Sequence, residues 1–323
     1  MHLRIISPSG AIDPVYIDQA AARLRSWGHE VSEGAHARGA WGRFAGTDEE
    51  RLADLVAALA DPSVDAILCS RGGYGLQRII DQIPPITKPV IGFSDITVLH
   101  QLSAISSQQS VHAVMCKHIA TLPEDSEPIV MLRKALNGEP LSYSVAPHPL
   151  NRDGEVNAPV FGGNLSVLYG LQGTPYSLQQ SAISSQQSAI SSQQSAISSQ
   201  QSAISSQPSA ISSQPSAISS QAPILMIEDI AERHYHIDRM MRNLKMSGVL
   251  AQIGGLIVGQ FSDCEDDPAM NCTVYETIKE AVAEYDYPVL FNAPFGHVEH
   301  NLPIWFGKEA HLSVTAEGSV LRI

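Results

Sequence analysis

Ser94 stands in the tetrapeptide Gly92-Phe93-Ser94-Asp95, after the apolar run from Pro89 and before a helical pattern carried by Ile96, Leu99 and His100. A serine on a tight strand-to-helix turn is pushed clear of the sheet, and the amide of the next residue points toward the oxygen it attacks. Ser94 is therefore a candidate nucleophile and the Asp95 N–H a candidate oxyanion donor. Serine is also a common helix cap, and Ile96 stands where a hydrolase elbow carries its second glycine. The tetrapeptide alone leaves a cap before Asp95 open. Ser70-Arg71-Gly72-Gly73-Tyr74-Gly75 follows the preceding apolar run. Consecutive glycines let backbone amides come close to a ligand, which suits an oxyanion hole, a phosphate cradle or simply a tight turn. No Gly-Lys-Ser/Thr follows, and the spacing is not GxGxxG.

Glu228-Asp229 closes the apolar run Ile224 to Ile227 and so delivers a carboxylate to a strand's edge. There it could orient a histidine, cap a helix or join an ion pair. Among 12 histidines, His297 in Phe295-Gly296-His297 follows a late strand with a flexible glycine before it. His234-x-His236 and His297-x-x-His300 lack an HExxH frame and a cysteine pairing, so no metal and no other cofactor is expected.

The elements that must position these residues follow from periodicity. In the N-terminal third, short apolar runs alternate with amphipathic stretches, which predicts an α/β fold with βαβ units and a mostly parallel sheet. Strands are expected at Leu3 to Ser7, Val64 to Cys69 and Pro89 to Phe93. A helix is expected from Pro14, with Ile17, Ala21 and Leu24 on one face. Thr47 with Glu50 has the form of a capping box, ahead of the face Leu52, Leu55, Val56 and Leu59. The second half predicts strands at Pro159 to Asn164, Ile224 to Ile227, Ile253 to Phe261 and Val289 to Asn292, with β structure near Ala310 to Val314 and Ser319 to Ile323. Helices are predicted at Ile237 to Met246 and Thr273 to Ala283. Turn residues from Asn137-Gly138 to Asp153-Gly154 suggest domains at 1–140 and 159–323, joined by a linker at 141–158.

The heptapeptide SAISSQQ, varying only at its last position, repeats six times from Ser181 to Ala222, with an isolated copy at Ser103 to Gln109. Each repeat places Ala and Ile side by side rather than at a and d positions, and Pro208 and Pro215 break helices. The tandem run reads as a polar loop at 181–222, and lengthening a connection from about 6 to about 48 residues costs only about 2 kcal/mol. The isolated copy lies in or just after the helix behind Ser94, where a displacement would misplace the nucleophile.

With 323 residues and 44% apolar composition, the chain has material for two cores. A net charge of −13 and no Lys/Arg cluster argue against nucleic acid, and no apolar stretch has membrane-spanning length. The start of the chain has no apolar core of signal-peptide length, so a cytoplasmic location is expected. The four irregularly spaced cysteines read as free thiols.

Seven fragments in order complete the reading: Pro8-Ser9-Gly10, Ser70 to Gly75, Gly92 to Thr97, Gly162 to Leu165, Gly173 to Tyr176, Ile227 to Ile230 and Gly296-His297. Together they resemble the LD-carboxypeptidase family of serine peptidases, which also contains the microcin C immunity amidases. The resemblance implies a triad of Ser94, Glu228 and His297, with backbone amides of Gly73 and Asp95 as the oxyanion hole. It implies an N-terminal α/β domain joined to a C-terminal β-rich domain, the site at their junction, and a homodimer. The implied reaction removes the terminal D-alanine from murein tetrapeptides, small peptide substrates whose carboxylate Arg71 could hold and whose site Asn164 could line. A microcin-type amidase acting on peptidyl or aminoacyl nucleotides is the alternative within enzymes. A muropeptide-binding protein disabled by the repeats is the alternative outside them.

Overall fold

Successive residues of β1 (His2–Ile6) point to opposite faces of a sheet, and each face meets its own apolar layer. The computed structural model describes residues 1–178 and 222–323. Leu3 and Ile5 join Ala66, Leu68 and Ile91 under α1 (Pro14–Ser26). Ile6, Ile67, Cys69 and Val90 instead pack against α2 (Asp48–Ala60) and α3 (Thr97–Ile105). Asp13 caps α1 ahead of Pro14, and Thr47 and Glu50 close both halves of the expected capping box on α2.

The first sheet contains β2 (Glu30–Glu33), β1, β3 (Ala66–Cys69), β4 (Val90–Gly92) and β5 (Ser110–His112), all parallel, in the order 2-1-3-4-5. In such sheets the chain departs in opposite directions from the first and third strands, which opens a crevice beyond their carboxyl ends. The loops after β1, β3 and β4 carry Pro8 to Gly10, Ser70 to Gly75 and Ser94.

The second sheet is mixed, in the order β10-β9-β8-β7-β12-β13-β6. Its strands are β6 (Ser142–Val145), β7 (Gly154–Asn164), β8 (Ile224–Ile230), β9 (Gly255–Ser262), β10 (Val289–Leu290), β12 (Glu309–Thr315) and β13 (Gly318–Arg322). Leu225 and Ile227 face α7 (His234–Met246) and α8 (Val274–Ala281), whereas Ile224 and Met226 face the other core with Phe295 and Leu302.

Two expectations are corrected. Residues 141–158 are not a linker, because β6 and the first part of β7 lie there as members of the second sheet. The turn signals are real, since Gly138 and Gly154 both have positive φ, but they bracket short strands. The boundary at 159 is also crossed, because β11 (Ile304–Phe306) leaves the second half of the chain and pairs antiparallel with β5, Ile304 opposite His112. A second tie joins α3 to β7: the Asn164 N–H donates to Thr97 Oγ1 at 2.9 Å. A Cβ on Gly163 would come within 2.4 Å of that hydroxyl, so only glycine lets helix and strand approach so closely.

The tandem repeats lie outside the described residues apart from Ala222. The isolated copy forms the last turn of α3 and the bend into β5, where Ser106 Oγ accepts the Ile86 N–H at 3.0 Å. The turn at Ser94 lies about two helical turns upstream of it. Ile304 is fully buried in the β5–β11 seam. Ile304→Ala is expected to cost about 2–5 kcal/mol, read as a lower urea midpoint with a similar slope.

Candidate active site

The chain leaves β4 through an extended Phe93 and then turns sharply, giving Ser94 a φ of 71°. A non-glycine residue in this region is held there at a cost of about 1–3 kcal/mol. A short 3₁₀ turn, Ser94–Ile96, then leads into α3, with Phe93 in the cap position. The alternative of Ser94 as a cap before Asp95 therefore fails. The loop after β3 presses on this turn: a Cβ on Gly72 would lie 2.7 Å from Ser94 Cβ and 2.9 Å from the Phe93 carbonyl oxygen.

Asp95 locks the turn from beneath. Its Oδ2 accepts Ser9 Oγ–H at 2.6 Å and Leu76 N–H at 3.0 Å, while Gly10 N–H donates to Gly72 O at 3.0 Å. Burial pushes the Asp95 carboxyl up, opposed by these two donors and the charge of Arg51. The loops after β1, β3 and β4 are thus tied to one another around the nucleophile candidate, and the Asp95 side chain is committed inward.

Glu228 comes from β8, whose register with β9 shifts between Ile227 and Asp229. The neighbouring carboxylates go opposite ways. Glu228 is fully buried and its Oε2 lies 2.7 Å from His297 Nδ1. Its Oε1 is buried without a partner among the described residues, so the imidazole is the main recipient of its charge. Asp229 turns to α6 (Leu165–Gly170), accepting Asn164 Nδ2–H at 2.8 Å and the amides of Ile230 and Ser166 at 2.9 and 2.8 Å. Burial and the adjacent Glu228 push the Asp229 carboxyl up to about 7, against the pull of those donors.

Burial alone would depress His297, but its hydrogen bond to Glu228 and the charges of Glu228 and Asp229 outweigh it, so the imidazole is raised above its ordinary value. With Nδ1–H donating to the carboxylate, Nε2 is free to exchange a proton. The Phe93 ring meets His297 edge-on at 4.9 Å between centroids. Ser94 and His297 line one cavity of about 520 Å³, although no hydrogen bond joins them among the described residues. Catalytic hydrogen bonds often close only around substrate.

Arg71, Gly72 and Gly73 line the same cavity, and Arg71 Nη1 donates to Ala11 O at 2.8 Å. Asn164 is not among the lining residues. Its side chain caps α6 through Val167 N–H and holds Asp229, so it supports the carboxylate pair from behind instead of facing a ligand. The sequence reading missed Asp13, Tyr16, Lys117 and His118, which also line the cavity. Lys117 and His118 sit on α4 (Cys116–Thr121), just after β5, a strand too short to show periodicity. Among the described residues no group of three His, Cys, Asp or Glu could hold a metal ion, and no helix is long and apolar enough to cross a membrane.

Comparison with known proteins matches residues 3–113 to the LD-carboxypeptidase N-terminal domain and residues 205–312 to the LD-carboxypeptidase C-terminal domain. A putative carboxypeptidase of Synechocystis sp. is 32% identical over 320 residues, spanning 96% of this chain and 90% of that one. The murein tetrapeptide carboxypeptidase of Pseudomonas aeruginosa is 26% identical over 332 residues, spanning 98% and 94%. The solved structure of muramoyltetrapeptide carboxypeptidase from Oxalobacter formigenes aligns with a TM-score of 0.79 over 100% of this chain and 98% of that one. Its 24% identity makes that a likeness of fold.

The electrostatics at Glu228 are directly measurable. In an NMR titration the His297 ring is expected to protonate above the ordinary value of about 6.5. Glu228→Gln removes the charge and leaves the burial, so the midpoint should drop below about 6.5.

Proposed function

Since the chain belongs to the LD-carboxypeptidase family, we propose that it is a serine peptidase that releases the terminal D-alanine of murein tetrapeptides through Ser94, His297 and Glu228. The observation that carries this reading is the 2.7 Å contact between a buried carboxylate and an imidazole that shares a cavity with a serine in a strained turn. In the neutral form, His297 Nε2 takes the Ser94 proton as Oγ attacks the carbonyl preceding D-alanine. Glu228 stabilises the imidazolium so formed. The amides of Gly73 and Asp95 are the proposed donors to the developing oxyanion. The imidazolium returns its proton to the leaving amine, and a water activated by the same ring hydrolyses the acyl-enzyme.

An exopeptidase must also recognise the free carboxylate at the end of its substrate. Arg71 is the proposed anchor, since guanidinium suits carboxylates, and Lys117 places a second cation in the same wall. Asp13 is the acidic side chain among the lining residues. This balance favours an anionic peptide in a chain whose overall charge is −13. The proposal includes the expected working form, a cytoplasmic homodimer acting on a small peptide without a cofactor.

Incubation with a murein tetrapeptide is expected to release D-alanine, at a rate falling by about 10⁴–10⁶-fold in Ser94→Ala and His297→Ala. Unchanged turnover in His297→Ala would remove the triad. Cleavage of an aminoacyl sulfamoyl adenosine but not the tetrapeptide would move the substrate to nucleotide conjugates. Tetrapeptide binding without turnover would point to a disabled binding protein. The acidic limb of kcat/KM should report the raised His297, with activity lost as the pH falls through that value, because only the neutral ring accepts the Ser94 proton.

A further inference from the structure

Four residues beyond His297 the chain buries an amide side chain behind the site. Asn301 is 0% exposed, and its Oδ1 accepts the N–H of Gly296, the residue before His297, at 2.9 Å. Its Nδ2 is buried without a hydrogen-bond partner among the described residues and faces the imidazole of His112. Neither ring nitrogen of His112 makes a hydrogen bond of ordinary geometry among the described residues, although the Asn301 side chain lies close enough to act on its proton affinity, and that ring too is 0% exposed. His112 lies on β5 opposite Ile304, with Phe93 5.6 Å away between ring centroids. Neither Asn301 nor His112 lines the cavity. His112 belongs to the sheet that carries Ser94, and Asn301 holds the turn that carries His297.

Buried polar groups without partners cost stability, and apolar side chains would fill this space without that cost. A positional role accounts for the pair. Burial, reinforced by His100 and His297, holds His112 well below the ordinary histidine range, so its ring is neutral and keeps one acceptor nitrogen. An acceptor on that side orients the Asn301 amide with its NH₂ toward His112 and its oxygen toward Gly296.

We propose that Asn301 and His112 are positioning residues for His297: His112 orients the Asn301 amide, and the bond from Gly296 to Asn301 fixes the turn from which the imidazole reaches Glu228 and Ser94. This rests on the reading of His297 as the proton-transfer group. Among the described residues, the other titratable groups whose charge couples to His297 are Glu228 and Asp229 from β8 and His118 from α4, and none of them is altered by changing Asn301 or His112.

The test is steady-state kinetics across pH on the full chain, with murein tetrapeptide as substrate. Asn301→Ala frees the Gly296 N–H and loosens the turn; kcat is expected to fall about 10- to 100-fold with KM little changed, since small misplacements act on the reacting geometry. The acidic limb should move down as the bond between Glu228 and His297 weakens. His112→Phe keeps the ring shape and removes the acceptor that faces Asn301, so its kcat should fall in the same direction. A folded Asn301→Ala with parental kcat, or a kcat loss with no movement of the acidic limb, would overturn the inference. Should Asn301→Ala fail to fold, His112→Phe decides alone: a folded variant with parental kcat refutes a positioning role. His297→Ala separates the two levels, because turnover surviving there condemns the underlying reading, whereas its loss beside unaffected Asn301 and His112 variants condemns only this inference.

Discussion

Three residues of the C-terminal half, Ile304 to Phe306, close the edge of the N-terminal sheet, and the rest of the site depends on that pairing. The imidazole turn lies only seven residues before Ile304, and a chain reaches at most about 3.3–3.6 Å per residue. His297 is therefore tethered to the strand beside β4, whose end carries Ser94. Two domains that met only through loops would leave their separation to a hinge. Here a backbone ladder and the close contact of α3 with β7 hold both sides of the cavity in one frame.

Within that frame, the second sheet contributes charge. Glu228 and Asp229 follow each other on one strand, so they leave opposite faces, one to the imidazole and one to the cap of α6. Burying two neighbouring carboxylates is costly unless each finds donors. Asp229 finds backbone amides and Asn164, while Glu228 has His297 as its partner among the described residues. The unequal sharing leaves the imidazole as the group that responds to Glu228.

The copy of the heptapeptide at Ser103 to Gln109 shows how a polar sequence fits beside a demanding site. Its Ala104 packs in the protein interior, Ser106 accepts a backbone N–H, and Ser107 takes a positive φ of 54° at the bend. Ser103 Oγ is buried without a partner among the described residues, a local cost that falls at the other end of the helix from the strained turn at Ser94. The polar copy thus occupies the far end of the helix, away from the turn that carries the nucleophile candidate.

Much of the fold was legible residue by residue. The alternation of Leu3, Ile5 and Ile6, the capping box at Thr47 and Glu50, and the run ending at Glu228 each state a local preference that the structure keeps. Strands β5, β6 and β11 were not legible, because three or four residues carry no readable period and their stability comes from partners far along the chain. The same division holds for the candidate site. Sequence alone determined that a serine sits on a tight turn after a strand, that glycines precede it, and that a carboxylate and a histidine end later strands. Only tertiary structure decided that Glu228 meets His297, that Asn164 supports Asp229 instead of lining the cavity, and that Asn301 stands behind the imidazole turn. Local backbone preference acts over a few residues, whereas hydrogen bonds between distant strands depend on packing that no short segment contains.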